Sequence, residues 1–310
     1  MITIFHASDL HFGKPYRPEV GEALLEVVDQ VIPDAVVVSG DLTQRAREEE
    51  FEEARAYLDR MAWAAPVVVT PGNHDVPLYR VVERIFQPYR YYKKHISEEL
   101  DTVTRVEGAV FVSLNSSAPR RAIVNGRIDD HQMAFAARAF EESDPGETKI
   151  LVAHHHLAGA PDYEDDTTLP NARQILDQFN RMGVELILGG HLHRAYIGNS
   201  LDVYPGRDRE HGIVIVQSGT STSHRGRARE EARNSFNVIR IAEDHLEITH
   251  YMYFDEIHAF APFSMHAYPR REDRFFPRDP VRGGLLLNPG ELTEASGDAG
   301  PAREPGKVEE

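Results

Sequence analysis

The sequence contains no cysteine. That excludes disulfides, thiolate metal ligands and cysteine nucleophiles together, and it leaves any metal chemistry to imidazole, carboxylate and amide donors. Long apolar runs are missing too. A membrane-spanning helix needs about 20 consecutive apolar residues, and the best run here, residues 62–70, is broken by Pro66. Residues Met1 to His6 carry neither a basic stretch nor an apolar segment of signal-peptide length, so a cytoplasmic protein without membrane insertion is expected. Cations are in the minority: 34 Lys and Arg stand against 50 Asp and Glu, a net charge of −16 over 310 residues. An acidic surface repels a phosphate backbone, so nucleic acid is not an expected partner.

What is present is an alternation. Short, mostly β-branched runs occupy residues 2–7, 35–39, 66–70, 109–114, 149–153, 184–188 and 213–217, the pattern of strands buried on both faces. Amphipathic helical patterns lie between several of them, at 22–32, 47–61 and 172–182, the last with Asn171 as its expected N-cap. The alternation predicts an α/β layered domain. Runs at 235–241 and 246–253 then read as an antiparallel hairpin, closing a domain over residues 1–253. Residues 254–289 are rich in aromatics and arginine and contain Pro262, Pro269, Pro277 and Pro280, so an irregular extension is expected. Residues 290–310 hold six acids, two bases and few large apolar side chains, the composition of a disordered acidic tail.

Chemistry-bearing residues collect where the strand patterns end. Asp9 and His11 follow the first run, Asp41 the second, and Asn73, His74 and Asp75 the third; His154-His155-His156 follows the run at 149–153, and His191 and His193 follow that at 184–188. Ligand sites of open α/β sheets lie beyond the carboxyl ends of strands, so five separate segments are placed to converge. In extended backbone, residues two apart share a side, which would aim Asp9 with His11, and His191 with His193, at a common centre. Each element alone has an ordinary structural explanation, as a turn Asp or a hydrogen-bonded loop. The seven donors Asp9, His11, Asp41, Asn73, His154, His191 and His193 are too many for one four-coordinate ion and suit two.

The ordered set Asp9-x-His11, Gly40-Asp41, Gly72-Asn73-His74-Asp75, His154 and Gly190-His191-x-His193 resembles the calcineurin-like metallophosphoesterase superfamily. Gly40-Asp41-Leu42-Thr43-Gln44-Arg45-Ala46, the segment from Pro71 to Pro77, and Gly219-Thr220-Ser221-Thr222-Ser223 are similar to its bacterial class III cyclic-nucleotide phosphodiesterase (Icc-like) branch. The resemblance spans roughly residues 1–250. It implies a four-layer αββα sandwich followed by the irregular C-terminal extension. It also implies a first metal held by Asp9, His11, Asp41 and His193, and a second sharing Asp41 and held by Asn73, His154 and His191. The two ions would be divalent or mixed-valence Mn, Fe, Zn or Co. A water shared between them would attack phosphorus in line, and His74 would stabilise the transition state and protonate the leaving alkoxide.

The phosphoprotein-phosphatase branch carries an acid three residues after the bridging Asp; this chain has Gln44 there, which leaves the orienting partner of His74 open. Candidate substrate contacts are His155, His156, Arg120, Arg121, His224 and Arg225, weighed against a solvated arginine cluster balanced by Glu230 and Glu231. The expected activity is hydrolysis of a small phosphodiester such as a cyclic nucleotide. The alternatives are a phosphomonoesterase, or a diesterase acting on glycerophosphodiesters, nucleotide-linked lipids or nucleic acid; a non-catalytic scaffold of the same fold is more remote. The acidic loop from Asp162 to Asp166 would disfavour a polyanion. A homo-oligomeric contact through residues 254–289 is the remaining partner expectation.

Overall fold

A computed structural model describes residues 1–120, 126–159, 168–204, 212–227 and 230–270. Arg121, the acidic loop at 162–166 and the tail at 290–310 lie outside the described residues. Residues 1–242 and 246–268 form one compact unit.

Two six-stranded sheets make the inner layers. The first contains β1 (Ile2–Ala7), β2 (Ala35–Val38), β3 (Val67–Val69), β10 (Ser235–Ile241), β11 (His245–Phe254) and β12 (Ala259–Pro269), in the order β12-β11-β10-β1-β2-β3. The second contains β4 (Thr102–Val106), β5 (Ala109–Leu114), β6 (Thr148–Ala153), β7 (Val184–Gly189), β8 (Tyr196–Asn199) and β9 (Val214–Gln217), in the order β4-β5-β6-β7-β9-β8. The helices are α1 (Pro18–Val31), α2 (Glu48–Met61), α3 (Val81–Phe86), α4 (Arg90–His95), α5 (Asp130–Glu141), α6 (Ala172–Arg181) and α7 (Ser200–Val203).

Strand periodicity assigns each side chain to a layer. On β1 and β2, Ile4, Ala35 and Val37 enter a core shared with Phe111, Ile150 and Val152 of the facing sheet. Their neighbours Phe5, Val36 and Val38 point the other way, into a core with Leu24 of α1 and Phe51 of α2. On the second sheet Val110, Val112 and Leu151 pack with Phe140 of α5 and Phe179 of α6. Three cores between four layers constitute the αββα sandwich.

Several expectations are corrected. Residues 259–269 are not irregular: they form β12, paired to β11 at the edge of the first sheet. Phe260 seats against Phe236 and Tyr253, and Pro262 is tolerated because an edge strand leaves one row of N–H groups unused. Asn171 does not cap α6 with its side chain; it stands in left-handed backbone at φ 61°. Helix α5 begins with a capping box between Asp129 and Gln132, a signal present in the sequence and unread. No helix among the described residues is long and apolar enough to cross a membrane.

Candidate active site

β1, β2 and β3 run parallel, as do β5, β6, β7 and β9. Their carboxyl ends therefore deliver their loops to one edge of the sandwich. The loops are stitched there by main-chain bonds: the amides of Asp9 and His11 donate to the carbonyls of Gly40 (3.0 Å) and Asp41 (3.0 Å), and the Gly190 amide to the His154 carbonyl (3.1 Å). The Gly219–Ser223 segment completes the frame, with the Thr220 hydroxyl donating to the Asp9 carbonyl (2.7 Å) and the Thr222 hydroxyl to that of Leu10 (2.8 Å).

Side chains two apart do share a side, but not through extended backbone. Asp9 (φ 54°), His11 (53°), Asp41 (50°), His191 (75°) and His193 (54°) all lie in the left-handed region. Non-glycine residues hold such angles at a cost of about 1–3 kcal/mol each, so the surrounding bonds must impose them. The intervening Leu10 and Leu192 are buried and anchor the turns.

Two donor groups result. In the first, ligand atoms of Asp9, His11, Asp41 and His193 all fall within 4.8 Å of one another. His193 Nε2 lies 3.0 Å from Asp9 Oδ1, and the Nε2 atoms of His11 and His193 are themselves 3.0 Å apart. In the second, Asn73 Oδ1 is 2.9 Å from His191 Nδ1 and 3.2 Å from His154 Nε2. Asp41 belongs to both, with Oδ1 3.4 Å from His154 Nε2 and Oδ2 3.8 Å from His11 Nε2.

The protons decide what this constellation is for. His193 Nδ1 faces the Arg225 carbonyl (3.1 Å), His11 Nδ1 that of Thr43 (3.4 Å) and His154 Nδ1 that of Ser39 (2.8 Å). A carbonyl only accepts, so each Nδ1 carries the hydrogen and each Nε2 presents a lone pair inward. Two such lone pairs 3.0 Å apart repel unless a cation takes both. Asp9 Oδ1 and Asp41 Oδ2 are also buried with no hydrogen-bond partner, an expensive arrangement for carboxylates that are not ligands. The residues fit two metal ions, with imidazoles held in the ligating tautomer by main-chain carbonyls.

Charge follows from the same contacts. Burial would raise the pKa of Asp9 and Asp41, but the facing imidazoles overcome it and hold both well below the carboxylate range. Burial would lower the His154 pKa, yet the Asp41 charge outweighs it and pushes it up to about 9, so a proton and a cation compete for the same Nε2 lone pair.

His74 stands beside the cluster, its ring edge-on to His11 at 4.9 Å. Its amide donates to Asp41 Oδ1 (2.7 Å), and its Nδ1–H donates to the main-chain carbonyl of Gln44 (2.9 Å). The partner left open by the sequence is thus a backbone atom of the residue that replaces the expected acid. His74 Nε2 is 3.1 Å from Arg225 Nη1. Burial and that guanidinium lower the His74 pKa, against the pull of Asp41.

Asp75 binds no candidate ligand atom. Its carboxylate accepts the amides of Gly72 (2.8 Å), Leu42 (3.1 Å) and Thr43 (2.9 Å) and the Thr43 hydroxyl (3.0 Å), locking the Asp41 loop to the His74 loop. Asp75→Asn turns one acceptor into a donor aimed at amide hydrogens, and a destabilisation of about 3 kcal/mol is expected in urea unfolding; a change under about 0.5 kcal/mol would contradict this reading. Gly72 is equally constrained: a Cβ there would lie 2.1 Å from Asp41 Oδ1. Gly72→Ala should therefore displace Asp41 and lower bound metal below two ions per chain, and a variant holding two would refute that.

The substrate candidates divide. Arg225 reaches His74, and with the exposed His224 it lines a cavity of about 1010 Å3 whose wall includes Gln44, Lys14 and Arg45. His155 and His156 are buried instead, with ring centroids 4.6 and 5.8 Å from that of His191, and His155 Nδ1 bonds the Ser116 hydroxyl at 2.8 Å. Arg120 donates to the Ile85 carbonyl and lines a different cavity. Glu230 is buried and accepts from the Ala195 amide and the Ser235 hydroxyl.

Residues 2–195 match the calcineurin-like phosphoesterase family. The chain belongs to that family. A protein of Rhodococcus erythropolis named as a probable cyclic nucleotide phosphodiesterase is 27% identical over 61% of this chain and 64% of its own length. The 3′,5′-cyclic adenosine monophosphate phosphodiesterase CpdA of Escherichia coli K12 is 24% identical over 62% of this chain and 70% of its own. Among solved structures, a purple acid phosphatase from yellow lupin seeds superposes with a TM-score of 0.62 over 86% of this chain and 53% of its own, at 12% identity, a likeness of fold.

Proposed function

We propose that this calcineurin-like phosphoesterase is a dimetal phosphodiesterase that hydrolyses a small phosphodiester such as a cyclic nucleotide. The observation that carries the reading is Asp41, a single buried carboxylate shared by two donor groups, with His74 hydrogen-bonded to it. Asp9, His11, Asp41 and His193 would hold one ion, and Asn73, His154 and His191 would join Asp41 at the other. The donor set accepts Mn, Fe, Zn or Co. When bound, the ions supply an activated water and neutralise charge on the phosphoryl oxygens.

The chain's own residues supply orientation and the proton. The Gln44 carbonyl holds the His74 hydrogen on Nδ1, so Nε2 is the atom that would take up a proton from solvent and pass it to the leaving oxygen. Relatives named as cyclic nucleotide phosphodiesterases support the substrate class, and the net charge of −16 disfavours a polyanionic polymer. His155 and His156 would act through His191, and Arg225 and His224 from the cavity beside His74. A cytoplasmic location, a catalytic domain that extends through β12 to residue 268, and a homo-oligomeric contact through 254–289 complete the proposal.

The test is turnover by metal-loaded protein on a panel of cyclic nucleotides, dinucleotides, glycerophosphodiesters and phosphomonoesters. Cyclic nucleotides should be cleaved with the highest kcat/KM. Faster turnover of monoesters than of every diester would overturn the assignment.

A further inference from the structure

Arg225, beside the site, has no anionic partner among the described residues. Arg17, Arg60, Arg80, Arg105 and Arg240 each meet a carboxylate within 3.0 Å. Arg225 is half-buried, and its guanidinium is held by neutral groups: Nη1 donates to Gln44 Oε1 (3.0 Å) and to His74 Nε2 (3.1 Å). Among the described residues no carboxylate lies within ion-pair distance of it. Taking a guanidinium partly out of water without a counter-charge is costly, and burial lowers its pKa accordingly. Its main chain is fixed as well, because the Arg225 carbonyl accepts from His193 Nδ1. The residue thus stands between the first donor group and His74.

The hydrogen-bond count makes this placement consequential. His74 Nδ1–H is committed to the Gln44 carbonyl, so Nε2 is the only ring atom left for a leaving oxygen, and Arg225 covers it. A phosphoryl anion is a stronger acceptor than a neutral imidazole and matches the two-pronged guanidinium. We propose that Arg225 is a catalytic residue whose guanidinium rests on His74 Nε2 and passes to a non-bridging phosphoryl oxygen of the bound diester, uncovering Nε2 to take up a proton from solvent and pass it to the leaving oxygen. Gln44 Oε1 tethers the guanidinium through the exchange, so one residue orients both partners. This inference rests on the phosphoesterase reading for its substrate.

The experiment compares wild type, Arg225→Lys and Arg225→Gln, all metal-loaded, with metal content measured on each sample. Binding of inorganic phosphate by calorimetry should weaken roughly tenfold in Arg225→Gln, the loss expected for a charge-assisted contact. Its kcat/KM for bis-p-nitrophenyl phosphate should fall by about 10²-fold, with Arg225→Lys between the two. Millimolar guanidinium ion should restore part of that activity, which a purely structural role would not allow. Phosphate affinity and turnover within about twofold of wild type would overturn the proposal. So would loss of metal without guanidinium rescue. If wild type binds phosphate but cleaves no ester, the phosphodiesterase reading fails, and the phosphate comparison still decides whether Arg225 meets the anion.

Discussion

An Asp41→Asn chain is expected to lose both bound metals and nearly all turnover while keeping its fold. Asp41 is the only side chain common to the two donor groups, and it is 1% exposed, so solvent cannot substitute for it. Asparagine preserves the volume but removes the charge and replaces one oxygen by an NH2 group. Placed toward His74, that group meets an amide hydrogen where Oδ1 now accepts at 2.7 Å. Placed toward His11, it donates to the Nε2 lone pair and blocks the ligand. Removing one partner of a buried charged network costs about 3–5 kcal/mol, equivalent to roughly 10²–10⁴-fold in affinity or rate. Metal content and hydrolysis of bis-p-nitrophenyl phosphate, measured on the same sample, check this. Two retained metals with turnover within about tenfold of wild type would contradict a shared ligand.

His74→Ala separates chemistry from metal binding. No ring atom of His74 belongs to either donor group, and the contact it makes with Asp41 comes from its main-chain amide, which alanine keeps. Metal content should stay at two ions per chain. Turnover should fall by about 10²–10⁴-fold, the usual worth of a positioned general acid. The loss should be larger for a cyclic nucleotide than for bis-p-nitrophenyl phosphate, because an alkoxide needs a proton to leave more than p-nitrophenolate does. Equal losses on the two substrates would assign His74 to binding or positioning alone. Loss of metal would place it among the ligands.

The candidate donor set was legible because strand ends announce themselves: each apolar run stops at a polar residue that the parallel topology carries to one edge. What could not be read was how the backbone presents those residues. Asp9 and His11 share a side through left-handed turns anchored by Leu10; Asp and His are enriched in that region, but only a few per cent of non-glycine residues adopt it, so residue type alone does not announce the turn. Main-chain acceptors are equally silent. The carbonyls of Ser39, Gln44 and Arg225 set three imidazole tautomers, and any residue could have supplied them. Strand β12 was obscured by its prolines, which imply irregular structure unless the strand is known to lie at an edge. The arginines near 120 and 225 look alike in sequence; only tertiary contacts send one to the Ile85 carbonyl and the other to His74.

The most direct test of the dimetal account is a titration of metal-stripped protein with Mn2+, following bis-p-nitrophenyl phosphate hydrolysis against equivalents added. The account predicts no turnover at zero equivalents and a plateau reached at two per chain. Undiminished turnover by metal-free protein, or two bound ions with no hydrolysis of any phosphate ester, would contradict it.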